Sequence, residues 1–127
     1  MNHRILIVDD ERRTLLLMER ALRDLQDEHE DIEILTASDG EQALQLIEAE
    51  QPALVYLDVM MPRVDGLNVC KTVKASPDMQ DVYIVMLTAM GQEGDRQNAK
   101  QAGADLYLTK PFDPDKVLKI AKEVLSL

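Results

Sequence analysis

The sequence has one cysteine, Cys70, among 127 residues. A single cysteine excludes a framework of internal disulfide bonds and is typical of a reducing compartment, so we expect a cytoplasmic protein. No apolar run approaches the roughly 20 residues that a membrane-spanning helix requires, and the N-terminus lacks the layout of a signal peptide. We therefore expect no membrane association.

Positive charge is also scarce. Lysine and arginine number 14 against 24 aspartates and glutamates, which gives a net charge of -10. Direct nucleic-acid binding needs a basic surface for the phosphate backbone, and this composition argues against it. Hydrophobic residues make up 46% of the chain, so a single globular domain with a real core is expected.

Along the chain, segments with the apolar spacing of a strand alternate with segments that have the apolar spacing of a helix. The sequence shows no internal repeat, low-complexity segment or interdomain linker. Strands are predicted at 4–8, 32–36, 53–57, 82–87 and 105–109. Helices are predicted at 12–26, from 38–41 to Pro52, through 67–73, at 91–101 and from Pro114 onward. The first helix has an apolar stripe predicted to be buried, formed by Leu15, Leu16, Met18, Leu22 and Leu25. Strands that alternate with helices favour parallel βα units with right-handed crossovers.

Polar residues that could bind a ligand follow these strands. Asp9 and Asp10 follow the first strand, Asp58 the third, Thr88 the fourth and Lys110 the fifth. In open α/β sheets, ligands bind outside the carboxyl ends of the strands, so these residues predict a site for a cation and a phosphoryl group. Crowded carboxylates repel one another unless a cation lies among them. Mg²⁺, a hard ion that prefers oxygen ligands, is the first choice, and Mn²⁺ fits the same ligands.

The chain resembles the receiver domain of two-component response regulators, in particular a single-domain, chemotaxis-regulator-like receiver. The resemblance covers the whole length and rests on 5–11 (ILIVDDE), 58–66 (DVMMPRVDG), 88–89 (TA) and 110–112 (KPF). It implies a flavodoxin-like (βα)5 fold, a doubly wound five-stranded parallel sheet with strand order 2-1-3-4-5. It also implies one receiver domain over residues 1–127, with no output domain in this chain.

By that resemblance, Asp58 is the phosphoacceptor, since a carboxylate can attack a phosphoryl group and form an aspartyl phosphate. Asp9, Asp10 and Asp58 would hold Mg²⁺ together with the backbone carbonyl of Met60. The competing interpretation is that these acids only cap loops or face solvent.

Thr88 and Lys110 would contact the phosphoryl oxygens, and the family has a cis bond before the proline that follows this lysine. Tyr107 lies at the family's aromatic switch position, where the ring moves into space that Thr88 vacates. Simple β-propensity is the alternative explanation for Tyr107.

The resemblance implies a signalling domain, with no enzyme activity beyond self-phosphorylation and autodephosphorylation. A sensor histidine kinase or a phosphotransfer protein would donate the phosphoryl group. The face made by the fourth helix, fifth strand and fifth helix would then control a downstream protein or an output domain, and a phosphorylation-dependent homodimer is a further expectation.

Three other functions remain open. An aspartyl-nucleophile phosphatase would have a second acid two residues after Asp58, where this chain has Met60. An interaction domain that is not phosphorylated would not need the complete set of site residues. Flavin binding has the least support, because no phosphate-cradling loop follows the first strand.

Two methionines lie at positions that flank the site in the receiver family, and both bear on how long the phosphorylated state would last. Met60 and Met90 lie two residues after Asp58 and Thr88, respectively, and neither can position a water molecule as an acid or amide could. We hypothesise slow loss of phosphate through steric shielding. The alternative is that both side chains merely fill gaps between loops.

Overall fold

The computed structural model describes residues 3–61, 63–89 and 93–127, and within them strands and helices alternate along the chain. The strands are β1 (Arg4–Val8), β2 (Glu33–Ala37), β3 (Leu54–Asp58), β4 (Tyr83–Ala89) and β5 (Leu106–Lys110). The helices are α1 (Arg12–Glu28), α2 (Gly40–Glu50), α3 (Gly66–Ala75), α4 (Glu93–Gln101) and α5 (Pro114–Leu125).

The five strands form one parallel sheet in the order β2-β1-β3-β4-β5. This confirms the predicted flavodoxin-like fold. The predicted second, third and fifth strands stop one residue short and the predicted fourth strand stops two residues short, because the ladder continues beyond the apolar runs. Asp58 is aligned with Leu87 of β4, and Lys110 is aligned with Ala89. Both polar residues are therefore held by the sheet itself.

The sheet separates two apolar layers, because successive side chains of a strand point to opposite faces. Ile5 and Ile7 face the layer that contains α1 and α5, whereas Leu6 and Val8 face the layer that contains α2, α3 and α4. In the first layer, Tyr56 is fully buried and its hydroxyl donates to the Val117 carbonyl at 2.6 Å. Strands buried on both faces explain the nearly continuous apolar runs in the sequence.

Aspartates cap the first turns of α2, α3 and α5 near the carboxyl edge of the sheet; in α5 the Asp113 side chain accepts from the Asp115 amide at 2.9 Å. The Asp39 side chain accepts a hydrogen bond from the Gln42 amide at 2.7 Å at the start of α2. The Asp65 side chain accepts one from the Asn68 amide at 2.9 Å at the start of α3. These bonds satisfy amide groups that have no partner within the helix, and they fix where each helix begins.

Two predictions about α1 need correction. Leu16 is 45% exposed and does not belong to the buried stripe, which consists of Met18, Leu22 and Leu25. The helix also continues to Glu28 rather than ending near Gln26. Leu16 comes directly after Leu15 and falls outside the arc that faces the sheet.

None of the described helices combines the length and apolarity needed to span a bilayer.

Candidate functional site

Asp9 lies immediately after β1 and is completely buried. Its amide donates to the Ala37 carbonyl at 3.1 Å, which continues the pairing of β1 with β2. Its carboxylate oxygen Oδ1 accepts a hydrogen bond from the Glu11 amide at 2.9 Å. The backbone therefore fixes this carboxylate at the edge of the sheet.

Asp58 closes β3 and is only 5% exposed. Its Oδ1 accepts a hydrogen bond from the Met60 amide at 3.3 Å. Carboxylate oxygens of Asp9, Asp10 and Asp58 all lie within 4.8 Å of one another. The predicted acidic cluster is thus assembled, with two buried members and one exposed member, Asp10.

Lys110, the last residue of β5, is the cation of this cluster. Its Nζ lies 2.8 Å from Asp9 Oδ2 and 3.5 Å from Asp58 Oδ1. Burial by itself lowers the pKa of Lys110, but the hydrogen bond to Asp9 and the charge of Asp58 outweigh it, so the net pKa is raised. Lys110 is accordingly a permanent positive charge at neutral pH. The bond between Lys110 and Pro111 is cis, as expected.

One ammonium group does not neutralise three carboxylates. Burial raises the pKa of Asp58 from 3.8 to about 7, and the charge of Asp9 adds to this effect. Lys110 and the Met60 amide act in the opposite direction but do not cancel the rise. A divalent cation bound among these acids would favour the ionised carboxylate, because a nearby opposite charge stabilises the charged form.

The cluster has the chemistry that Mg²⁺ or Mn²⁺ requires. It offers hard carboxylate oxygens from three residues and an open side at Asp10, where waters could complete the coordination shell. It is the one group of this kind among the described residues. The predicted contribution of the Met60 backbone carbonyl remains a prediction.

The loop after Asp58 depends on a glycine. A Cβ atom at Gly66 would lie 2.0 Å from the Asp58 carbonyl oxygen, so any larger residue would collide with backbone. The Gly66 amide donates to the Val59 carbonyl at 3.0 Å and closes the loop. The start of α3 is thereby held against the residue that carries the central carboxylate.

Thr88 lies in β4 and is 1% exposed. Its hydroxyl donates to the Leu108 carbonyl of β5 at 3.3 Å. Tyr107, its predicted switch partner, is partly buried and contacts Arg96 of α4 through both its ring and its hydroxyl. Sequence reasoning missed Arg96, because a lone arginine in a polar helix has no distinguishing pattern.

Comparison with known proteins is consistent with this geometry. The family model of the response regulator receiver domain matches residues 5–122. The chain belongs to this family. Receiver domains are signalling domains of two-component systems, so the predicted family and the flavodoxin-like fold are both confirmed.

Individual relatives extend the comparison. The receiver is 42% identical over 125 residues to the alkaline phosphatase synthesis transcriptional regulatory protein PhoP of Bacillus subtilis. The aligned region covers 98% of this chain and 49% of that protein. The chain thus spans about half the length of the curated relatives it matches.

Two solved structures have the same fold over nearly every residue. The receiver domain of the sensor histidine kinase PA1611 from Pseudomonas aeruginosa, with a magnesium ion coordinated in its active-site cleft, is 28% identical with a TM-score of 0.85. Both chains are covered completely. The BeF3-activated DrrB receiver domain is 29% identical with a TM-score of 0.84, again with complete coverage of both chains.

The structure therefore brings Asp9, Asp10, Asp58 and Lys110 together, as the strand ends predicted. Thr88 lies on the neighbouring strand, with its hydroxyl directed to β5. Pro62 of the predicted loop motif and Met90 fall outside the described residues.

Proposed function

We propose that this receiver accepts a phosphoryl group on Asp58 from a sensor histidine kinase or a phosphotransfer protein. The observation that carries the proposal is the convergence of three carboxylates within 4.8 Å, with the Lys110 ammonium touching two of them. Such a site is charged, partly buried and open on one side. It suits phosphoryl transfer, which depends mainly on positioning and electrostatic stabilisation.

The transfer is a displacement at phosphorus. A carboxylate oxygen of Asp58 attacks the phosphorus of a phosphohistidine and forms a P–O bond, while the P–N bond breaks and the imidazole leaves with the electron pair. Both contacts of this carboxylate with described residues involve Oδ1, which leaves Oδ2 for the attack. Lys110 offsets the negative charge that spreads over the phosphoryl oxygens.

Asp9, Asp10 and Asp58 would hold a divalent cation, Mg²⁺ by preference or Mn²⁺. When bound, the cation supplies positive charge that keeps the acids ionised together and offsets the charge of the phosphoryl oxygens. The magnesium ion in the cleft of the Pseudomonas receiver supports this assignment. Lys110 remains the fixed cation of the site, in contact with both Asp9 and Asp58.

Phosphorylation would act on the residues beside the site. The new group adds about -1.5 to -2 charge and strong acceptor oxygens, enough to draw the Thr88 hydroxyl away from the Leu108 carbonyl. Tyr107 would then move toward the vacated space. The surface of α4, β5 and α5 would change and be recognised by a downstream protein, by an output domain or by a second copy of the receiver.

Labelling with acetyl phosphate tests this function. Wild type, Asp58→Asn and the control Asp24→Asn, an exposed aspartate of α1, are compared with and without Mg²⁺. We expect labelling of wild type and the control only with the metal, and none of Asp58→Asn. Equal labelling of Asp58→Asn would rule out Asp58 as the phosphoacceptor.

A further inference from the structure

Helix α4 is held to the protein by few side chains. Among its described side chains only that of Ala99 is buried, whereas those of Arg96, Gln97, Asn98 and Lys100 are exposed. Helices are usually fixed in a fold by the burial of an apolar face, and α4 has almost none. Its position therefore depends strongly on the individual polar contacts that it makes with neighbouring elements.

One such contact joins α4 to β5. The guanidinium carbon of Arg96 lies 4.3 Å from the centroid of the Tyr107 ring. Nη2 of the same group donates a hydrogen bond to the Tyr107 hydroxyl. A single arginine thus contacts both the face and the polar end of this ring. The pair borders a cleft of about 310 Å³ whose lining also includes Phe112 and Lys116.

The register of the sheet relates this pair to the phosphoryl site. Tyr107 is aligned with Met86, and Thr88, two residues further along β4, is aligned with Thr109. Side chains two residues apart on a strand share a face, and aligned residues of parallel strands do as well. Tyr107 and Thr88 therefore lie on the same face of the sheet, so the ring can reach the space beside Thr88.

We propose that Arg96 is a latch that keeps the Tyr107 ring against α4, here called the outward position, and ties α4 to β5 in the unphosphorylated receiver. The inward position is the space beside Thr88. This proposal rests on the proposed function. When the Thr88 hydroxyl leaves the Leu108 carbonyl, the Tyr107 ring can enter the vacated space only by giving up both contacts with Arg96. The latch thus opposes activation, and its loss releases the ring and the weakly anchored helix together.

The expected size of the effect follows from the exposure of the Arg96 side chain. A cation–π contact at an exposed site shifts an equilibrium by about two- to fivefold. Arg96→Ala should favour the inward position of Tyr107 by that factor, and Arg96→Lys should have a smaller effect because it retains the charge without the planar group. Arg23→Ala, which removes an exposed arginine from α1, is the matched control.

The first test requires no phosphoryl group. Side-chain NMR of Tyr107 in the metal-free, unphosphorylated protein reports the populations of its rotamers. We expect the inward population to rise about two- to fivefold in Arg96→Ala, less in Arg96→Lys, and not at all in Arg23→Ala. Identical populations in wild type and Arg96→Ala would overturn the latch.

The second test separates failure of the latch from failure of the proposed function. Beryllofluoride, a tetrahedral mimic of a phosphoryl group, is titrated into each variant in saturating Mg²⁺. Tighter binding to Arg96→Ala than to wild type, with unchanged affinity for Mg²⁺ alone, supports the latch. Equal binding to both proteins refutes the latch but leaves the phosphoryl site intact. Absence of binding to wild type would instead refute the proposed function.

Discussion

Replacing Asp58 by asparagine should stabilise the metal-free protein at neutral and alkaline pH. Burial and the charge of Asp9 raise the pKa of Asp58 from 3.8 to about 7 in the folded protein. In the unfolded chain the same group ionises near its ordinary pKa. Between about pH 4 and pH 7 the unfolded state therefore binds fewer protons than the folded state, and the free energy of unfolding falls as pH rises.

The magnitude follows from the size of this shift. About three pKa units at about 1.36 kcal/mol per unit set an upper limit of about 4 kcal/mol on the cost of the ionised carboxylate at pH 8. Asparagine avoids this cost but loses the ion pair with Lys110 at 3.5 Å. Lys110 retains Asp9 at 2.8 Å, so the loss is modest. We expect a net gain of about 1–2 kcal/mol, or roughly 3–8 °C in Tm for a domain of this size.

The assay is thermal unfolding followed by circular dichroism from pH 4 to pH 8, with a chelator present. The gain of Asp58→Asn over wild type should grow with pH and be small at pH 4. Saturating Mg²⁺ should stabilise wild type more than the variant and so reverse the order. Asp24→Asn removes one negative charge from an exposed position on α1 and serves as the control. A variant that is no more stable than wild type at pH 8 without metal would refute the electrostatic reasoning.

Three further outcomes are expected. Gly66→Ala should lose more than about 2 kcal/mol of stability and most phosphorylation, because the new methyl group would lie 2.0 Å from the Asp58 carbonyl oxygen. A variant as stable as wild type in chemical denaturation would show that the loop can move to make room for the methyl group. Cys70 is fully buried, and burial raises its pKa to about 11. A disulfide reagent at pH 8 should therefore leave Cys70 unmodified until the protein unfolds, and rapid reaction in native buffer would contradict this burial. Met60→Ala should shorten the lifetime of the phosphorylated protein, measured by loss of label, if the side chain shields the site; an unchanged lifetime would leave this methionine, 69% exposed, without such a role.

The sequence was most informative where chemistry coincided with topology. Asp9, Asp58 and Lys110 each follow an apolar run in the sequence, and parallel strands necessarily bring their carboxyl ends to one edge. That reasoning correctly placed side chains that are up to 101 positions apart in the chain. It could not give the last one or two residues of β2, β3, β4 and β5, because backbone pairing continues past the end of each apolar run.

Contacts between polar side chains on different elements were beyond prediction. Arg96 reaches Tyr107, and His3 pairs with Asp31, but neither pair has a periodic or motif-like pattern. Their formation depends on how a helix or turn is placed against the sheet. The exposure of Leu16 has a similar origin, since the rotation of α1 about its axis decides which of two adjacent leucines is buried.

The most direct test of the phosphoryl site is to trap the acyl phosphate and map it by mass spectrometry. Borohydride reduces an aspartyl phosphate to homoserine, so the reaction marks the side chain that carried the phosphoryl group. After incubation with acetyl phosphate and Mg²⁺, we expect homoserine at position 58 alone and none when the metal is omitted. Homoserine at Asp9 or Asp10, or equal amounts with and without Mg²⁺, would contradict the assignment of Asp58 as a metal-dependent phosphoacceptor.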